Sequence, residues 1–127
     1  MTTVLNIIET PYRATIEEQD DTILWLANMM KRGGLDVTVL LRASAVNYGV
    51  NGQDASGLRI GDIEIVHPPT IDRDVAGLLQ AGVAVYFVEE DAAERGIRED
   101  TLIDGMKPVK RRQLPSLLEG YEQVWHW

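Results

Sequence analysis

The sequence contains no cysteine and only two histidines, His67 and His126, among its 127 residues. The missing thiols exclude disulfides, thiolate zinc sites, iron–sulfur ligation and every cysteine nucleophile. Two histidines are too few for a histidine-rich metal site within one chain. The sequence therefore assigns no catalytic residue, no metal ligand and no cofactor.

Long apolar runs and an excess of basic charge are also missing. No apolar stretch approaches the roughly 20 residues of a membrane-spanning helix, which argues against an integral membrane protein. The N-terminal segment has no basic region before its apolar stretch, so we predict no secretory signal and a cytoplasmic location. The formal charge of −8 repels phosphate backbones, so general nucleic-acid binding is not expected. No glycine-rich phosphate-binding motif supports a nucleotide function.

The residues that are present alternate between buried strands and amphipathic helices. An apolar fraction of 45% and a charged fraction of 25% are typical of globular proteins. The clearest predicted elements are strands at Thr3–Ile8, Asp36–Leu41 and Val83–Val88, a helix at Ile16–Lys31 capped by Thr15 and Glu18, and a helix at Ile71–Gln80. Alternation of this kind predicts one α/β domain over residues 1–127, with three layers and a mainly parallel, roughly five-stranded sheet.

Ligands of parallel sheets bind beyond the carboxyl ends of the strands, which directs attention to the loops that follow them. Tyr12 and Arg13 follow the first strand, and the arginine could hold a carboxylate or phosphate. Asn47 and Tyr48 lie in the long polar loop after the second strand, where they could line a small-molecule pocket or an oligomer interface. For Tyr12 and Arg13 we favour an ordinary solvated loop. For Asn47 and Tyr48 an ordinary turn-rich connection is an equal alternative, and the sequence leaves that choice open.

Three carboxylates, Glu89, Glu90 and Asp91, follow the clearest strand and open a helix. They could bind a divalent cation, or their mutual repulsion could raise the pKa of one of them. Acidic residues also stabilise a helix N-terminus electrostatically, and we favour that interpretation. The densest basic cluster, Lys107–Arg112, could meet an acidic partner, although a short charged cluster is more often a solvated face.

A family resemblance rests on residues 85–109, VYFVEEDAAERGIREDTLIDGMKPV. The turn Arg95-Gly96-Ile97 and the element Leu102–Met106 resemble the pattern of the DsrE/DsrF-like sulfur-relay family, which includes the TusD and YchN-type proteins. Three further segments fit more loosely: the second strand with the turn before it at Gly34–Leu40, the loop after it at Ala43–Val50, and the final helix and strand at Leu114–Trp127. The resemblance therefore extends over nearly the whole chain.

The resemblance implies a single α/β domain with a mainly parallel sheet, assembled as a trimer or hexamer. It also implies a relay that carries sulfur as a persulfide on a strand-end cysteine, in tRNA thiolation or in sulfur oxidation. Counted back from Gly96, that cysteine falls on Val88. Because valine has no thiol, no catalytic residue is carried over. The resemblance thus leaves enzymatic activity open while disfavouring it.

Two functions are therefore expected as alternatives. The first is a non-catalytic accessory or scaffold subunit of a sulfur-transfer assembly, with partners that are further copies of itself or a cysteine-bearing paralogue. The second is a stand-alone homo-oligomer that binds a small molecule or metal in a strand-end pocket. The residues predicted for that pocket are Tyr12, Arg13, Asn47, Tyr48, Val88, Glu89, Glu90 and Asp91. Catalysis by the carboxylates has the least support, because no base, nucleophile and orienting group can be named together.

Overall fold

The computed structural model describes residues 2–12 and 21–127. The strands are β1 (Thr3–Ile8), β2 (Asp36–Leu41), β3 (Arg59–Ile60), β4 (Ile63–Glu64), β5 (Ala84–Val88), β6 (Lys107–Val109) and β7 (Gln123–His126). The α-helices are α1 (Thr22–Arg32), α2 (Ile71–Gln80), α3 (Glu89–Glu94) and α4 (Leu114–Glu119). Three 3₁₀ segments cover Ala43–Gly49, Glu99–Thr101 and Arg111–Gln113. The predicted first turns of the helix at Ile16, with the cap at Thr15 and Glu18, lie outside the described residues.

Five strands form one sheet in the order β6-β5-β2-β1-β7, and every neighbouring pair is parallel. Parallel neighbours need crossover connections, and the helices between successive strands provide them. Strands β1 and β2 pair over their full length, from Thr3 opposite Asp36 to Ile8 opposite Leu41. The predicted single α/β domain with a roughly five-stranded, mainly parallel sheet is confirmed.

Alternate residues of each strand point to opposite faces of the sheet, and the two faces have separate apolar cores. Val4 and Ile8 of β1 pack into the larger core, together with residues of α1, α2 and the segment Ala43–Gly49. Leu5 and Ile7 pack into a smaller core that includes side chains of α4. Burial on both faces explains why β1 and β2 are nearly continuous apolar runs in the sequence.

Helix α1 begins and ends at residues that satisfy its free backbone groups. The Oδ1 atom of Asp21 accepts the N–H groups of Ile23 and Leu24, both at 3.0 Å. This side chain is the N-cap of the helix. After Arg32 the chain turns through Gly33 and Gly34, and Gly34 has a φ of +93° that favours glycine. The end of the helix is therefore determined by the two glycines that directly follow it in the sequence.

The segment Asp62–Val66 adds no strand to the five-stranded sheet. Its residues Ile63–Glu64 pair only with Arg59–Ile60, and the two strands form an antiparallel hairpin around Gly61. Ile60 and Ile63 lie opposite each other and are 53% and 66% exposed. These residues thus form a projecting hairpin, which leaves Ile60 and Ile63 open to solvent.

Within residues 2–12 and 21–127, no helix combines the length and the apolar character that crossing a bilayer requires.

Candidate functional site

The carboxyl ends of β1, β2 and β5 lie side by side in the sheet, and the loops after β1 and β2 adopt unusual backbone geometry. Tyr12, after β1, has a φ of 60°, and Ala43, after β2, has a φ of 50°. Left-handed conformations are unfavourable for residues with a Cβ and persist only where neighbouring contacts hold them. Each residue donates its N–H to a side chain from a distant part of the sequence. These two side chains define two polar clusters.

The first, which we call the tyrosine cluster, consists of Tyr12, Tyr48 and Asp21. The hydroxyl oxygen of Tyr48 accepts the N–H of Tyr12, and its proton is donated to Oδ2 of Asp21 at 2.7 Å. The rings of Tyr12 and Tyr48 meet edge to face, with centroids 5.0 Å apart. Tyr48 and Asp21 are only 1% and 2% exposed. The cluster therefore joins the loop after β1, the start of α1 and the 3₁₀ segment in one buried network.

Burial is the main cause that raises the pKa of the Tyr48 phenol far above its ordinary value of 10. The bond from the Tyr12 N–H opposes this shift, while the bond to Asp21 and its negative charge add to it. Burial and the charge of Asp21 also raise the pKa of Tyr12. Both phenols thus stay protonated at neutral pH and act as hydrogen-bond donors.

A cavity of about 280 Å³ adjoins the tyrosine cluster. Its lining includes Tyr12, Gln53, Pro69 and Ile71, and the Tyr12 hydroxyl donates to Oε1 of Gln53 at 3.4 Å. The Gln53 amide in turn donates to the carbonyl of Asn47 at 2.8 Å. An apolar wall with a phenol and an amide is suited to a small, partly apolar molecule.

Asn47 has a structural role in the segment that carries Tyr48. Its side-chain amide donates to the carbonyl of Ser44 at 2.9 Å, within the 3₁₀ segment. Its own carbonyl holds Gln53, as described above. Asn47 therefore supports the cavity through Gln53, and Arg13, the other polar residue predicted for this region, lies outside the described residues.

The second group, the carboxylate cluster, contains Glu89, Glu90 and Asp91 together with Lys110 and Arg111. Oδ2 of Asp91 accepts the Ala43 N–H at 2.6 Å, and Oδ1 accepts from Arg111 at 2.6 Å. Glu90 accepts the backbone N–H of Arg111 at 2.9 Å, and Lys110 lies 3.6 Å from Glu89. The basic residues expected to be a solvated face are indeed exposed, and two of them, Lys110 and Arg111, are also partners of the three carboxylates.

These bonds determine how the carboxylates behave. Burial raises the pKa of Asp91, but the Ala43 N–H and Arg111 together outweigh it and hold that pKa below its ordinary value. The N–H of Arg111 likewise lowers the pKa of Glu90. No group of three or more acidic or histidine side chains in the described part of the chain is arranged to hold a metal ion. The carboxylate cluster is ionised, and its hydrogen bonds join α3 to the loop after β2 and to the segment after β6.

Val88 lies apart from both clusters. Its side chain is fully buried and belongs to the smaller apolar core with Leu5, Ile7 and Leu40. Apart from Asn47, and from Arg13 outside the described residues, the predicted pocket residues thus divide into three places, namely the tyrosine cluster, the carboxylate cluster and this core. The 3₁₀ segment connects the first two, since Ala43 begins it and Tyr48 lies near its end.

Three residues of these clusters, Asp21, Lys110 and Arg111, were not among the predicted site residues. Asp21 is the buried acceptor of the tyrosine cluster, and Arg111 is the cation that holds Asp91. The sequence does carry one signal for Asp21, because an aspartate directly before an apolar helical stretch is a favoured N-cap. Nothing local marks Arg111 as the partner of a residue 20 positions earlier.

No protein-family model matches the sequence, and no curated protein matches it. Solved structures do match. The YchN protein from E. coli superimposes with a TM-score of 0.73 at 21% identity, covering 99% of this chain and 98% of that one. The chain shares the YchN fold. This agrees with the fold expected from the DsrE/DsrF-like resemblance. A sequence identity of 21% shows a common fold and nothing further.

Two further structures show the same architecture. A conserved protein of unknown function from Bacteroides thetaiotaomicron has a TM-score of 0.68 at 15% identity, over 98% of this chain and 94% of that one. A protein of unknown function from Methanobacterium thermoautotrophicum has a TM-score of 0.64 at 16% identity, over 98% and 99%. The match to YchN and to both of these proteins therefore covers almost the full length of each chain.

Proposed function

We propose that this chain is a non-catalytic, cytoplasmic accessory subunit of a sulfur-transfer assembly. The shared YchN fold and the resemblance of residues 85–109 to sulfur-relay proteins support it. The observation that carries the proposal is Val88, which occupies the position expected for the sulfur-carrying cysteine and packs fully buried against Leu5 and Leu40. Since valine offers no thiol, sulfur in such an assembly would travel on another subunit.

The projecting hairpin supports an assembly. Leu58, Ile60 and Ile63 lie on one face of its ribbon, and all three are exposed. Arg59 and Glu64 pair across the strands on the other face. A two-stranded ribbon is marginally stable alone, and an exposed apolar face of this kind often marks a protein interface. In the proposal this face contacts a neighbouring subunit, either another copy in a trimer or hexamer or a cysteine-bearing paralogue.

A second candidate function is that of a stand-alone homo-oligomer that binds a small molecule. The cavity of about 280 Å³ beside Tyr12 and Gln53 favours it, because it lies at the carboxyl end of β1, where parallel sheets bind ligands. A metal ion is less well supported as the ligand, since Glu89, Glu90 and Asp91 already bind Lys110 and Arg111.

The deciding experiment is purification of the intact complex from its native source, followed by native mass spectrometry. We expect a mixed assembly that contains a cysteine-bearing subunit. A pure homo-oligomer would contradict the accessory role and transfer the proposal to the second candidate. Stoichiometric labile sulfur on the isolated, folded chain would contradict both the accessory role and the assignment of Val88.

A matched pair of variants tests the contribution of the hairpin. Ile63→Gln places an amide on its apolar face, whereas Glu64→Gln makes the same side chain on the charged face. We expect the first variant to shift the assembly towards smaller species and the second to leave its mass unchanged, because only the first exchanges apolar contact area for a polar group. Assemblies of equal mass for wild type and Ile63→Gln would show that the hairpin is not part of the interface.

A further inference from the structure

The cavity beside the tyrosine cluster has a lining whose charge and polar atoms are of one kind. The residues that line it in the described part of the chain are Tyr12, Gln53, Asp54, Ala55, Pro69 and Ile71. Its apolar side chains do not orient a ligand, so orientation depends on the phenol, the amide and the carboxylate. No lysine, arginine or histidine of the described ranges lines it, in contrast to the carboxylate cluster with Lys110 and Arg111.

The side-chain amide of Gln53 is held in one orientation. Its Nε2 atom donates to the backbone carbonyls of Asn47 at 2.8 Å and of Val50 at 2.9 Å. Carbonyl oxygens only accept hydrogen bonds, so these contacts use both Nε2 hydrogens and determine which end of the amide is the oxygen. The Oε1 atom lies towards Tyr12, whose hydroxyl donates to it at 3.4 Å. The amide therefore offers the cavity an acceptor and no donor.

Asp54 adds a negative charge to the same lining. The hydroxyl of Ser56 and its backbone N–H, which lies 2.8 Å from Oδ1, lower the pKa of Asp54, and the charge of Arg73 adds to this shift. A carboxylate has about four acceptor sites, and Ser56 occupies two of them with neutral donors. Within residues 2–12 and 21–127, Asp54 forms no ion pair. Its charge is therefore available to a ligand.

The ring of Tyr12 is a second feature that favours a positive charge. Tyr12 is 46% exposed, and the face of an aromatic ring attracts cations that lie within about 6 Å of its centre. The negative charge of Asp21 acts on the same phenol, since it contributes to the raised pKa of Tyr12. The electrostatic potential is thus negative both beside Asp54 and at Tyr12.

We propose that this cavity binds a small organic cation, namely a primary ammonium that carries an apolar or aromatic group. The ammonium donates to the Asp54 carboxylate and to Oε1 of Gln53, and the apolar group packs against Pro69 and Ile71. Asp54 follows Gln53 directly, and Gln53 bonds to Tyr12, so the three polar groups surround one volume of about 280 Å³.

The donor and acceptor counts select this class of ligand. An ammonium has three donors and no acceptor, which matches a lining of acceptors, and its bonds to a carboxylate are charge-assisted. A carboxylate or phosphate ligand would instead face the charge of Asp54. The inference rests on the second candidate function, whose cavity it uses, and it names the class of that ligand.

The first test is titration of the full chain at neutral pH with three probes of similar shape, monitored by calorimetry. The probes are benzylamine, which is a cation, benzyl alcohol, which is neutral, and benzoate, which is an anion. We expect saturable binding of benzylamine, about tenfold weaker binding of benzyl alcohol and no binding of benzoate, because hydrogen bonds to charged groups contribute more than neutral ones.

The other outcomes separate this inference from the function on which it rests. Binding of benzyl alcohol or benzoate as tight as that of benzylamine would overturn the cation and leave a small-molecule cavity in place. Absence of saturable binding by all three probes would overturn the inference itself. The oligomer of the second candidate function is measured separately, by native mass spectrometry.

A charge-removing variant identifies the cavity as the place of binding. Asp54→Asn keeps an acceptor for the Ser56 N–H, so it should weaken benzylamine binding about tenfold and leave benzyl alcohol unchanged. Asp36→Asn is the matched control, because Asp36 is an exposed aspartate at the amino end of β2, whereas the cavity lies at the carboxyl end of β1. Unchanged affinity in Asp54→Asn, or an equal loss in the control, would contradict the assignment.

The ring of Tyr12 is tested with two variants that differ in aromaticity. Tyr12→Phe keeps the ring and should bind benzylamine within about twofold of wild type, whereas Tyr12→Leu should bind it about fivefold more weakly. Both retain the backbone N–H that donates to Tyr48. The readout is the ratio of benzylamine to benzyl alcohol affinity, since a distorted cavity would weaken both probes together. An unchanged ratio in Tyr12→Leu would overturn the part of the ring in recognition.

Discussion

In the tyrosine cluster the loop after β1 is held by a neutral phenol, whereas in the carboxylate cluster the loop after β2 is held by an ionised side chain. The phenol of Tyr48 accepts the N–H of Tyr12, and the carboxylate of Asp91 accepts the N–H of Ala43. Both held residues have a positive φ. The same structural task at neighbouring strand ends is thus performed by two kinds of chemistry.

The two clusters also differ in their exposure to solvent. Tyr48 and Asp21 are almost completely buried, while the Asp91 carboxylate pairs with Arg111, whose side chain is half exposed. Charges near water interact weakly and are screened by salt, and buried groups are screened much less. The tyrosine cluster should therefore respond mainly to the loss of a partner. The carboxylate cluster should respond to pH and ionic strength as well.

The largest effect is expected for Asp21→Ala. The change removes the N-cap of α1 and leaves the buried hydroxyl of Tyr48 without its acceptor. A lost cap and an unsatisfied buried donor together cost about 3 kcal/mol of the free energy of unfolding. Urea denaturation measures it, with Asp36→Ala, at an exposed aspartate that opens β2, as the control. A loss in Asp21→Ala as small as that of the control would contradict the role of the cluster.

Asp91→Ala should have the next largest effect, about 2 kcal/mol, because it removes one bond to a backbone N–H and one to an arginine. Raising the salt concentration to about 0.5 M should reduce this difference but leave that of Asp21→Ala nearly unchanged. Glu94→Gln, which also removes a carboxylate from Arg111, is the control and should cost little, since Glu94 is mostly exposed. If the stability losses of Asp21→Ala and Asp91→Ala depended equally on salt, the proposed difference between the clusters would be wrong.

The sequence predicted the elements that depend on local pattern. The limits of β1, β2 and α2 are correct to the residue, because their apolar spacing and their glycine, proline and aspartate boundaries are local. The sheet followed from the alternation of those elements. The hairpin at Arg59–Glu64 was less predictable, since a two-residue strand carries almost no periodic signal.

The candidate site could be predicted only in part. Tyr12 and Tyr48 were identified from their position after strands, and the structure brings them into contact. Their common acceptor was missed, because Asp21 meets Tyr48 across 27 residues of sequence. The carboxylates after β5 were identified too, but their cation, Arg111, comes from a distant segment. Pairings of this kind depend on the tertiary fold, which local pattern does not specify.

The smallest effects are expected when stability is measured against pH, and they should distinguish the two clusters. The free energy of unfolding should change by about 1 kcal/mol at each extreme of pH. The pKa of Asp91 is lowered in the folded state, so its contribution is present above pH about 4 and is lost as pH falls through the folded pKa. The pKa of Tyr48 is raised, so its contribution is complete below pH about 10 and is lost as pH rises towards the folded pKa. Wild type should therefore lose stability at both extremes.

Each cluster then has a variant that reduces one limb of this profile. Asp91→Asn should reduce the acid limb, to which Glu90 still contributes, and retain the alkaline one. Tyr48→Phe should reduce the alkaline limb, to which Tyr12 still contributes. Urea midpoints measured between about pH 3 and 11 give both limbs in one series, and each variant is the control for the other. If Asp91→Asn changed the alkaline limb, the two networks would be coupled through the 3₁₀ segment that begins at Ala43 and carries Tyr48. The loops after β1 and β2 would then respond to pH as one unit.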